Sequence, residues 1–197
     1  MKVLIACEFS GIVREAFKAK GHDAWSCDFL ETEIPGQHII GNVLSVLSHK
    51  WDMMIAHPSC TYTANSGVRW LHEYPDRWKL LDKSLQFWKQ LRDSGIPKIA
   101  MEQPIIHKYA RKIMGSPTQI IQPWQFGHPE TKATCLWLYG LPKLQPTNIV
   151  DGREGRVHKE SPGPDRWKNR SRTYQGIAEA MAEQWGSNNY SIYKPLF

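Results

Sequence analysis

KVLIACEFSGIVREAFKAKGHDAWSCD, residues 2–28, is the stretch that carries most of the evidence for the fold. Residues 2–7 form a short continuous apolar run, which is typical of a strand buried on both faces of a sheet. Residues 12–20 then carry apolar side chains at helical spacing, with Ser10 as the predicted N-cap. Residues 22–28 predict a second strand that ends in a carboxylate. The order strand, turn, helix, strand indicates a parallel crossover unit.

The same alternation continues along the chain. Further strands are predicted at residues 39–43, 51–57 and 97–101, with an amphipathic helix at residues 77–92. Residues 120–126 and 135–139 indicate two strands in a hairpin, residues 142–167 a long Gly- and Pro-rich loop, and residues 174–185 a closing helix. This order predicts an α/β fold with a mostly parallel sheet and helices on both of its faces.

Length and composition restrict the class of protein. The chain has 197 residues, of which 41% are hydrophobic and 22% charged, so we expect one catalytic domain over residues 1–197. No apolar run approaches the roughly 20 residues of a membrane span. Four cysteines lie far apart without C-x-x-C pairs, which argues against a disulfide framework or a zinc ribbon. We therefore expect a soluble cytoplasmic protein with no membrane partner and no metal; the sequence gives no prediction of its oligomeric state.

The excess of basic residues is concentrated near the C-terminal end. The formal net charge is +6, and residues 143–172 hold eight Lys and Arg against four Asp and Glu, a net charge of 8 − 4 = +4. Two-thirds of the excess charge thus falls in about a sixth of the chain. A solvated loop or a surface for a polyanion would both give this pattern.

Most of the chemically interesting side chains in the first half follow predicted strands. Glu8, Asp28, Asn42, residues 58–60 and Glu102 all stand at strand ends. In an open parallel sheet, ligands bind outside the carboxyl ends of the strands. We therefore expect these residues to share one cleft.

Cys60 and Glu102 suggest the chemistry of that cleft. A thiolate is the strongest nucleophile among ordinary side chains, and a carboxyl group beside it can hydrogen-bond a ring nitrogen. The pair suits attack on an electron-poor heteroaromatic ring, after which the neighbouring ring carbon becomes nucleophilic. A buried structural cysteine and a surface glutamate are the competing interpretation of each residue taken alone.

Glu8 and Asp28 suggest a cofactor site. A carboxylate after the second strand is where Rossmann-type sheets bind ribose hydroxyls. The first turn, Glu8 to Gly11, has one glycine and lacks G-x-G-x-x-G. The pattern favours a cofactor without a pyrophosphate, such as S-adenosylmethionine.

Several short motifs occur in the order found in one enzyme family. They are EFSG at residues 8–11, Asp28, GNV at 41–43, HPSC at 57–60, MEQP at 101–104, FGHPETK at 126–132 and YQGIA at 174–178. In these motifs the chain resembles the cytosine-C5 DNA methyltransferases, and more closely their compact bacteriophage-type members. The resemblance implies a Rossmann-like class I methyltransferase fold and S-adenosylmethionine-dependent transfer of a methyl group to C5 of cytosine in DNA, in a bacterial or phage-infected host cell.

The resemblance also implies roles for individual residues. Catalysis would rest on a nucleophile, a base-holding carboxyl and a basic residue, which are Cys60, Glu102 and Lys132. The cofactor would be bound by Glu8, Phe9, Ser10, Gly11, Asp28, Asn42, Pro58 and Gly176. A short basic insertion at residues 141–170 would stand in place of a target-recognition domain. DNA would be contacted by Arg69, Arg153, Arg156, Lys159, Arg166, Lys168, Arg170 and Arg172.

The sequence departs from the family pattern at three motif positions and is compatible with more than one function. Ser59 separates Pro58 from Cys60, Gln103 follows the glutamate in place of Asn, and Asn42 stands where an acid contacts adenine. The transferred group could instead be carboxymethyl, from carboxy-S-adenosylmethionine. The sequence also fits a non-catalytic nucleic-acid-binding protein, or an enzyme acting on RNA or a free nucleotide. A zinc deaminase is disfavoured because no cysteine occurs at residues 61–64.

Overall fold

A computed structural model describes residues 1–187, within which seven strands form one sheet in the order β3-β2-β1-β4-β5-β7-β6. The strands are β1 (Lys2–Ala6), β2 (Asp23–Asp28), β3 (His38–Ile40), β4 (Met53–Ala56), β5 (Lys98–Pro104), β6 (Gln119–Ile121) and β7 (Thr134–Tyr139). The helices are α1 (Ile12–Ala19), α2 (Trp70–Glu73), α3 (Arg77–Arg92), α4 (Lys108–Met114), α5 (Arg156–Lys159), α6 (Arg166–Ser171) and α7 (Gln175–Gly186). Short 3-10 turns cover Val43–Val46, Asn65–Gly67 and Pro123–Gln125.

The pairing of the strands confirms the predicted sheet. β1 lies between β2 and β4 and is parallel to both, β3 is parallel to β2, and β5 is parallel to β4. β7 is antiparallel to its two neighbours, β5 and β6. The sheet is therefore mostly parallel, with one antiparallel strand inserted near its end.

Helices cover both faces of the sheet, as the sequence predicts. Alternate residues of β1 point to opposite faces: Val3 and Ile5 pack with apolar residues of α1 and α7, whereas Leu4 and Ala6 pack with those of α3 and α4. All four are fully buried. A strand with both faces covered is a continuous apolar run in sequence, which explains the pattern of residues 2–7. No helix within residues 1–187 combines the length and the hydrophobicity needed to cross a bilayer.

The region after residue 101 differs from the sequence prediction. β5 runs on to Pro104, because β7 pairs with it from Ile99 to Pro104 and so prolongs it. β6 ends at Ile121 and does not reach residue 126, because a 3-10 turn begins at Pro123. The helix α4 was not predicted, and the predicted loop at residues 142–167 contains α5 and the start of α6. The closing helix is confirmed as α7.

The N-terminus of α1 is capped in a different way from the prediction. Gly11, with a left-handed φ of 75°, occupies the N-cap position that was predicted for Ser10. The carboxylate of Glu8 accepts the backbone N–H groups of Val13, at 2.7 Å, and Arg14, at 3.3 Å. A carboxylate suits this place because the first amides of a helix have no intrahelical acceptor and carry partial positive charge.

Candidate active site

The carboxyl ends of β1, β4 and β5 bring the predicted catalytic residues to one edge of the sheet. β4 lies between β1 and β5, so the segment after β4 stands between Glu8 and Glu102. The backbone N–H of His57 donates to the carbonyl of Ala6 at 2.9 Å, which continues the β1–β4 pairing beyond the strand. Cys60 follows three residues later. The topology thus brings the ends of these three strands to the same edge, as the sequence predicts.

His57 and Glu102 form a close pair below this edge. Nδ1 of His57 lies 2.6 Å from Oε2 of Glu102, and the two side chains are only 13% and 14% exposed. Burial alone would raise the pKa of Glu102, but the hydrogen bond and positive charge of His57, helped by Lys132, hold it below its ordinary value. Burial alone would lower the pKa of His57, but Glu102 and Glu8 raise it. Each partner thus favours the charged form of the other, an imidazolium facing a carboxylate.

Cys60 lies beside this pair on a half-buried loop. Its carbonyl accepts the N–H groups of Thr63 and Ala64, at 3.1 and 2.9 Å, so the nucleophile candidate stands at the start of a tight turn. Burial and the carboxylate of Glu102 raise the pKa of the thiol, while Lys132 and Arg170 act in the opposite direction. Cys60 is therefore a thiol at neutral pH, and its ionisation depends on the charges around it.

Lys132 completes the group from the segment before β7. Its Nζ donates to the carbonyl oxygen of Arg172 at 3.1 Å, which ties the segment before α7 to the site. Burial lowers the pKa of Lys132, while the carboxylate of Glu102 and the Cys60 thiol oppose that shift. The three residues predicted to be catalytic thus lie near enough to influence one another's protonation.

The turn after β1 is satisfied within itself. The buried Glu8 carboxylate also accepts from the Ser10 hydroxyl at 3.1 Å, so its oxygens are engaged by the protein. Phe9 is 8% exposed and its ring lies 5.8 Å from that of Trp167, at an interplanar angle of 58°. A Cβ at Gly11 would lie 2.7 Å from Nη2 of Arg14, so this position requires glycine for space as well as for φ.

The ends of β2 and β3 present an open surface. Oδ1 of Asp28 accepts the N–H of Leu30 at 3.0 Å, and the side chain is half-buried. The next residue, Phe29, is 74% exposed, and Ile40 on the adjacent strand is 61% exposed. Neither Phe29 nor Ile40 was among the site residues predicted from the sequence. For Phe29 a signal was present, because it is an aromatic residue that directly follows the strand-end carboxylate of Asp28. Asn42 is exposed and caps a 3-10 turn by accepting the N–H of Leu44 at 3.1 Å.

Gly176 and Pro58 occupy tightly packed positions. The N–H of Gly176 donates to Nε2 of His128 at 3.0 Å, and a Cβ at this glycine would lie 1.9 Å from the carbonyl oxygen of Phe126. Pro58 is buried, and its carbonyl accepts a hydrogen bond from Gln103. Both residues are held by contacts within the protein.

The basic residues predicted to contact DNA fall into two groups. Most of them are engaged by the protein: Arg69 with Glu73, Arg153 with Trp124, Arg156 with Glu130, Lys159 with Glu154, Lys168 with Asp165, and Arg172 with Glu33. Arg166 and Arg170 form no ion pair with any residue in the part of the chain that the structure describes. They line a groove of about 730 Å³ together with Thr61, Ser66, Gly67, Trp70, Tyr74 and Arg77. This groove adjoins the Cys60 loop.

A second cavity, of about 350 Å³, opens beside Lys132. It is lined by Ile12, Lys132, Arg156, Val157, Glu160, Asn169, Arg172, Thr173, Tyr174 and Gln175. Over residues 1–187 the structure contains no group of three or more His, Cys, Asp or Glu side chains placed to hold a metal ion.

The comparisons with known proteins bear on the fold. No protein-family model matches the sequence, and the curated proteins gave no significant match. A similar solved structure is that of a "putative DNA modification methyltransferase encoded within prophage" from E. coli, with a TM-score of 0.50 and 12% identity over 81% of this chain. The chain has a Rossmann-like α/β fold. It spans only 55% of the length of that neighbour.

Proposed function

We propose that the protein is a DNA (cytosine-5-)-methyltransferase that works through a covalent adduct on Cys60. The observation that carries the proposal is the meeting of Cys60, Glu102 and Lys132 at the carboxyl edge of the sheet, each within electrostatic reach of the others. A thiol, a carboxyl and an amine in that arrangement suit addition to a ring that must be polarised before it reacts.

Each of the three residues has a defined task in this proposal. Cys60 first releases its thiol proton to solvent, and the resulting thiolate forms a bond from Sγ to C6 of cytosine, while Glu102 holds N3 and the exocyclic amine. The electron pair of the C5–C6 bond then makes C5 nucleophilic. Lys132 stabilises the thiolate before attack, because a cation beside a thiol favours the charged form. After transfer, loss of the C5 proton and release of the Cys60 sulfur restore the aromatic ring.

The cofactor of this reaction would be S-adenosylmethionine, whose sulfonium supplies an electrophilic methyl group. The edge formed by β2 and β3 fits such a molecule: the half-buried Asp28 carboxylate can accept hydrogen bonds from ribose hydroxyls, and the exposed Phe29 ring offers a face for a purine. Glu8 would act indirectly here, because its oxygens already cap α1 and hold the turn at residues 8–11.

The substrate would be DNA bound along the groove beside the Cys60 loop. Arg166 and Arg170 provide positive charge that no ion pair within residues 1–187 neutralises, and phosphates are their natural partners. Trp70 and Tyr74 also line this groove and add aromatic surface. In duplex DNA the target cytosine must leave the stack, which costs a few kcal/mol. These contacts would offset part of that cost.

Mass spectrometry of nucleosides tests the proposal. DNA from cells that express the wild-type protein is compared with DNA from cells that express Cys60→Ala or Ser59→Ala. Ser59 is the exposed neighbour of Cys60, so its variant is a matched control. We expect a new cytosine derivative with the wild type and with Ser59→Ala, and none with Cys60→Ala.

The mass of the product identifies the group transferred. A methyl adduct supports S-adenosylmethionine as the donor, and a carboxymethyl adduct supports carboxy-S-adenosylmethionine. Unmodified DNA in all samples contradicts the proposal as a DNA-modifying activity. In that case, tests on RNA and free cytosine nucleotides distinguish an enzyme for those substrates from a non-catalytic binding protein.

A further inference from the structure

His57 has an unusual environment for a residue outside the predicted catalytic set. Its Nδ1 is committed to Glu102 at 2.6 Å. Its Nε2 is buried and has no hydrogen-bond partner within residues 1–187. A buried, unpaired ring N–H is costly unless something else in the surroundings compensates it. A merely structural histidine would be expected to satisfy both nitrogens.

The compensation is electrostatic. The charged and titratable groups that act on His57 come from different elements: Glu8 after β1, Glu102 on β5 and Lys132 before β7. Cys60, from the same loop as His57, acts in turn on Lys132 and is influenced by Glu102. Two carboxylates therefore face one imidazole, and the ammonium group of Lys132 balances the second negative charge. Both carboxylates favour the protonated form of His57, and Lys132 opposes it.

The proposed reaction needs a proton beside Glu102, for N3 of the target cytosine. When Sγ of Cys60 bonds to C6, the electron pair displaced into the cytosine ring is stabilised by a proton on N3. Glu102 is the group that would hold N3, yet its hydrogen bond to His57 at 2.6 Å and the charge of that ring keep its pKa below the ordinary value, which favours the ionised form. An ionised carboxylate can orient the base but cannot donate a proton to it. The proton must come from a neighbour.

We propose that His57 is a positioning residue that orients Glu102 and supplies, through it, the proton that reaches N3 of the target cytosine; this rests on the proposed function. The proton leaves Nδ1 of His57 for Oε2 of Glu102, and the neutral carboxyl donates it to N3. The imidazole becomes neutral as the Sγ–C6 bond forms. Once C5 has accepted the transferred group, the N3 proton returns by the same path. The C5–H electron pair then forms the C5–C6 double bond as the C5 proton leaves, and the Sγ–C6 pair departs with sulfur as the Cys60 thiolate.

This transfer would also help to ionise the nucleophile. The negative charge of Glu102 is one of the causes that raise the pKa of the Cys60 thiol. While Glu102 holds the proton, its charge no longer raises the pKa of the thiol, and the charges of Lys132 and Arg170 favour the thiolate. Binding of the base and activation of Cys60 are thereby linked through one proton.

The first part of the test measures the protonation of His57 directly. NMR of the full chain labelled with ¹⁵N-histidine, assigned with His57→Gln, reports the charge on each ring across pH 5 to 10. We expect both nitrogens of His57 to be protonated at pH 7 in the wild type, and the titration of His57 to move to lower pH in Glu102→Gln. A neutral His57 ring at pH 7 in the wild type overturns the inference without reference to any activity.

The second part measures transfer of labelled methyl groups from S-adenosylmethionine to unmodified plasmid DNA as a function of pH. We expect His57→Gln to lower kcat by about 100-fold, the usual scale of lost acid–base assistance, with little change in KM for DNA. The wild-type rate should fall at alkaline pH as His57 loses its proton, and His57→Gln should lack that fall. The control His49→Gln, at an exposed histidine before β4, should match the wild type.

The outcomes separate the inference from the proposed function. Absence of transfer by the wild-type protein defeats both. Transfer by the wild type with an unchanged rate and pH profile in His57→Gln defeats the inference alone, because glutamine can hold Glu102 by a hydrogen bond but cannot give it a proton. If His57→Gln does not fold, the NMR measurement on the wild type and on Glu102→Gln still decides the question.

Discussion

Gln103 donates a hydrogen bond from its side-chain Nε2 to the main-chain carbonyl oxygen of Pro58, at 2.5 Å. Its Oε1 accepts from the hydroxyl of Thr63 at 2.6 Å, so one buried amide spans the loop on both sides of Cys60. Both Gln103 and Thr63 are buried. The position next to Glu102 thus fixes the backbone that carries the nucleophile. Glutamine is well suited to this task because a single side chain supplies both a donor and an acceptor.

Gln103→Ala should therefore loosen the Cys60 loop. The substitution leaves the Pro58 carbonyl and the Thr63 hydroxyl without partners, and each buried unsatisfied group costs about 1–3 kcal/mol. Chemical denaturation should show a loss of unfolding free energy in this range, and Cys60 should react faster with iodoacetamide in the native protein. Gln90→Ala, on the exposed side of α3, is the matched control. Equal stability of the two variants would contradict this role for Gln103.

The reactivity of Cys60 should follow the charges of its neighbours. Because the carboxylate of Glu102 raises the pKa of the thiol and Lys132 lowers it, Glu102→Gln should speed alkylation at pH 8 and Lys132→Met should slow it. Each unit of pKa corresponds to about tenfold in the thiolate fraction. Quantitative mass spectrometry of the alkylated peptide measures both rates, with the fully buried Cys27 as an internal reference. Faster alkylation in both variants would indicate general loosening and not a charge effect.

The His57–Glu102 pair should make the unfolding free energy depend on pH in a defined window. His57 has a pKa raised above 6.5, so its contribution is complete below that value and is lost as the pH rises through the raised pKa. Glu102 has a pKa lowered from 4.5, so its contribution is complete above 4.5 and is lost as the pH falls through the lowered pKa. The pair therefore stabilises the fold most between about pH 4.5 and 6.5.

Glu102→Gln tests this window. Breaking a buried pair by removing one partner typically costs about 3–5 kcal/mol. The difference in unfolding free energy between wild type and variant should be largest near pH 6 and smaller at pH 9 and at pH 3. Urea denaturation at these three pH values measures it. A difference that does not change with pH would mean that the pair is not ionised in the folded protein.

Much of the fold could be predicted because local patterns agree with the tertiary structure. In β1, the continuous apolar run of residues 2–6 reflects packing on both faces, and the helical spacing in residues 12–20 matches α1. The prediction was wrong where partners distant in sequence decide the structure. β5 is prolonged to Pro104 by β7, whose pairing residue for Pro104 is Thr134. Nothing near residue 104 in the sequence records that pairing.

In the site, too, features set by local sequence could be predicted, and features set by contacts between distant residues could not. Strand-end position was enough to predict that Cys60 and Glu102 lie near each other, and they do lie within electrostatic reach. The part played by His57 could not be predicted, although it belongs to the same HPSC motif, because its meaning depends on a distance to a residue 45 positions later in the chain. A count of charges along the sequence likewise could not show which arginines are free of ion pairs and so able to contact DNA. The ion pair of Arg172 with Glu33 joins residues 139 positions apart.

Binding of DNA should depend on Arg166 and Arg170 more than on the other basic residues. Each phosphate contact that is lost should reduce the slope of log Kd against log salt concentration by about 0.9. Arg166→Gln and Arg170→Gln should therefore each weaken binding of a duplex, more strongly at low salt, in fluorescence anisotropy titrations. Lys50→Gln is the charge-matched control, because Lys50 is exposed before β4, at the opposite edge of the sheet. Equal slopes for all three variants would remove the groove as the DNA-binding surface.

Gly176 should tolerate no side chain, for steric reasons alone. A Cβ at this position would lie 1.9 Å from the Phe126 carbonyl oxygen, which belongs to the backbone and cannot rotate away. Gly176→Ala must shift α7 away from the 126–128 turn, and overpacking of this kind costs about 1–3 kcal/mol. For a chain of this size each kcal/mol lowers Tm by about 2–4 °C, which calorimetry resolves. Gly163→Ala, where a Cβ meets no atom within 4 Å, should leave Tm nearly unchanged. Similar Tm values for the two variants would show that α7 can shift without cost and would contradict this steric role of Gly176.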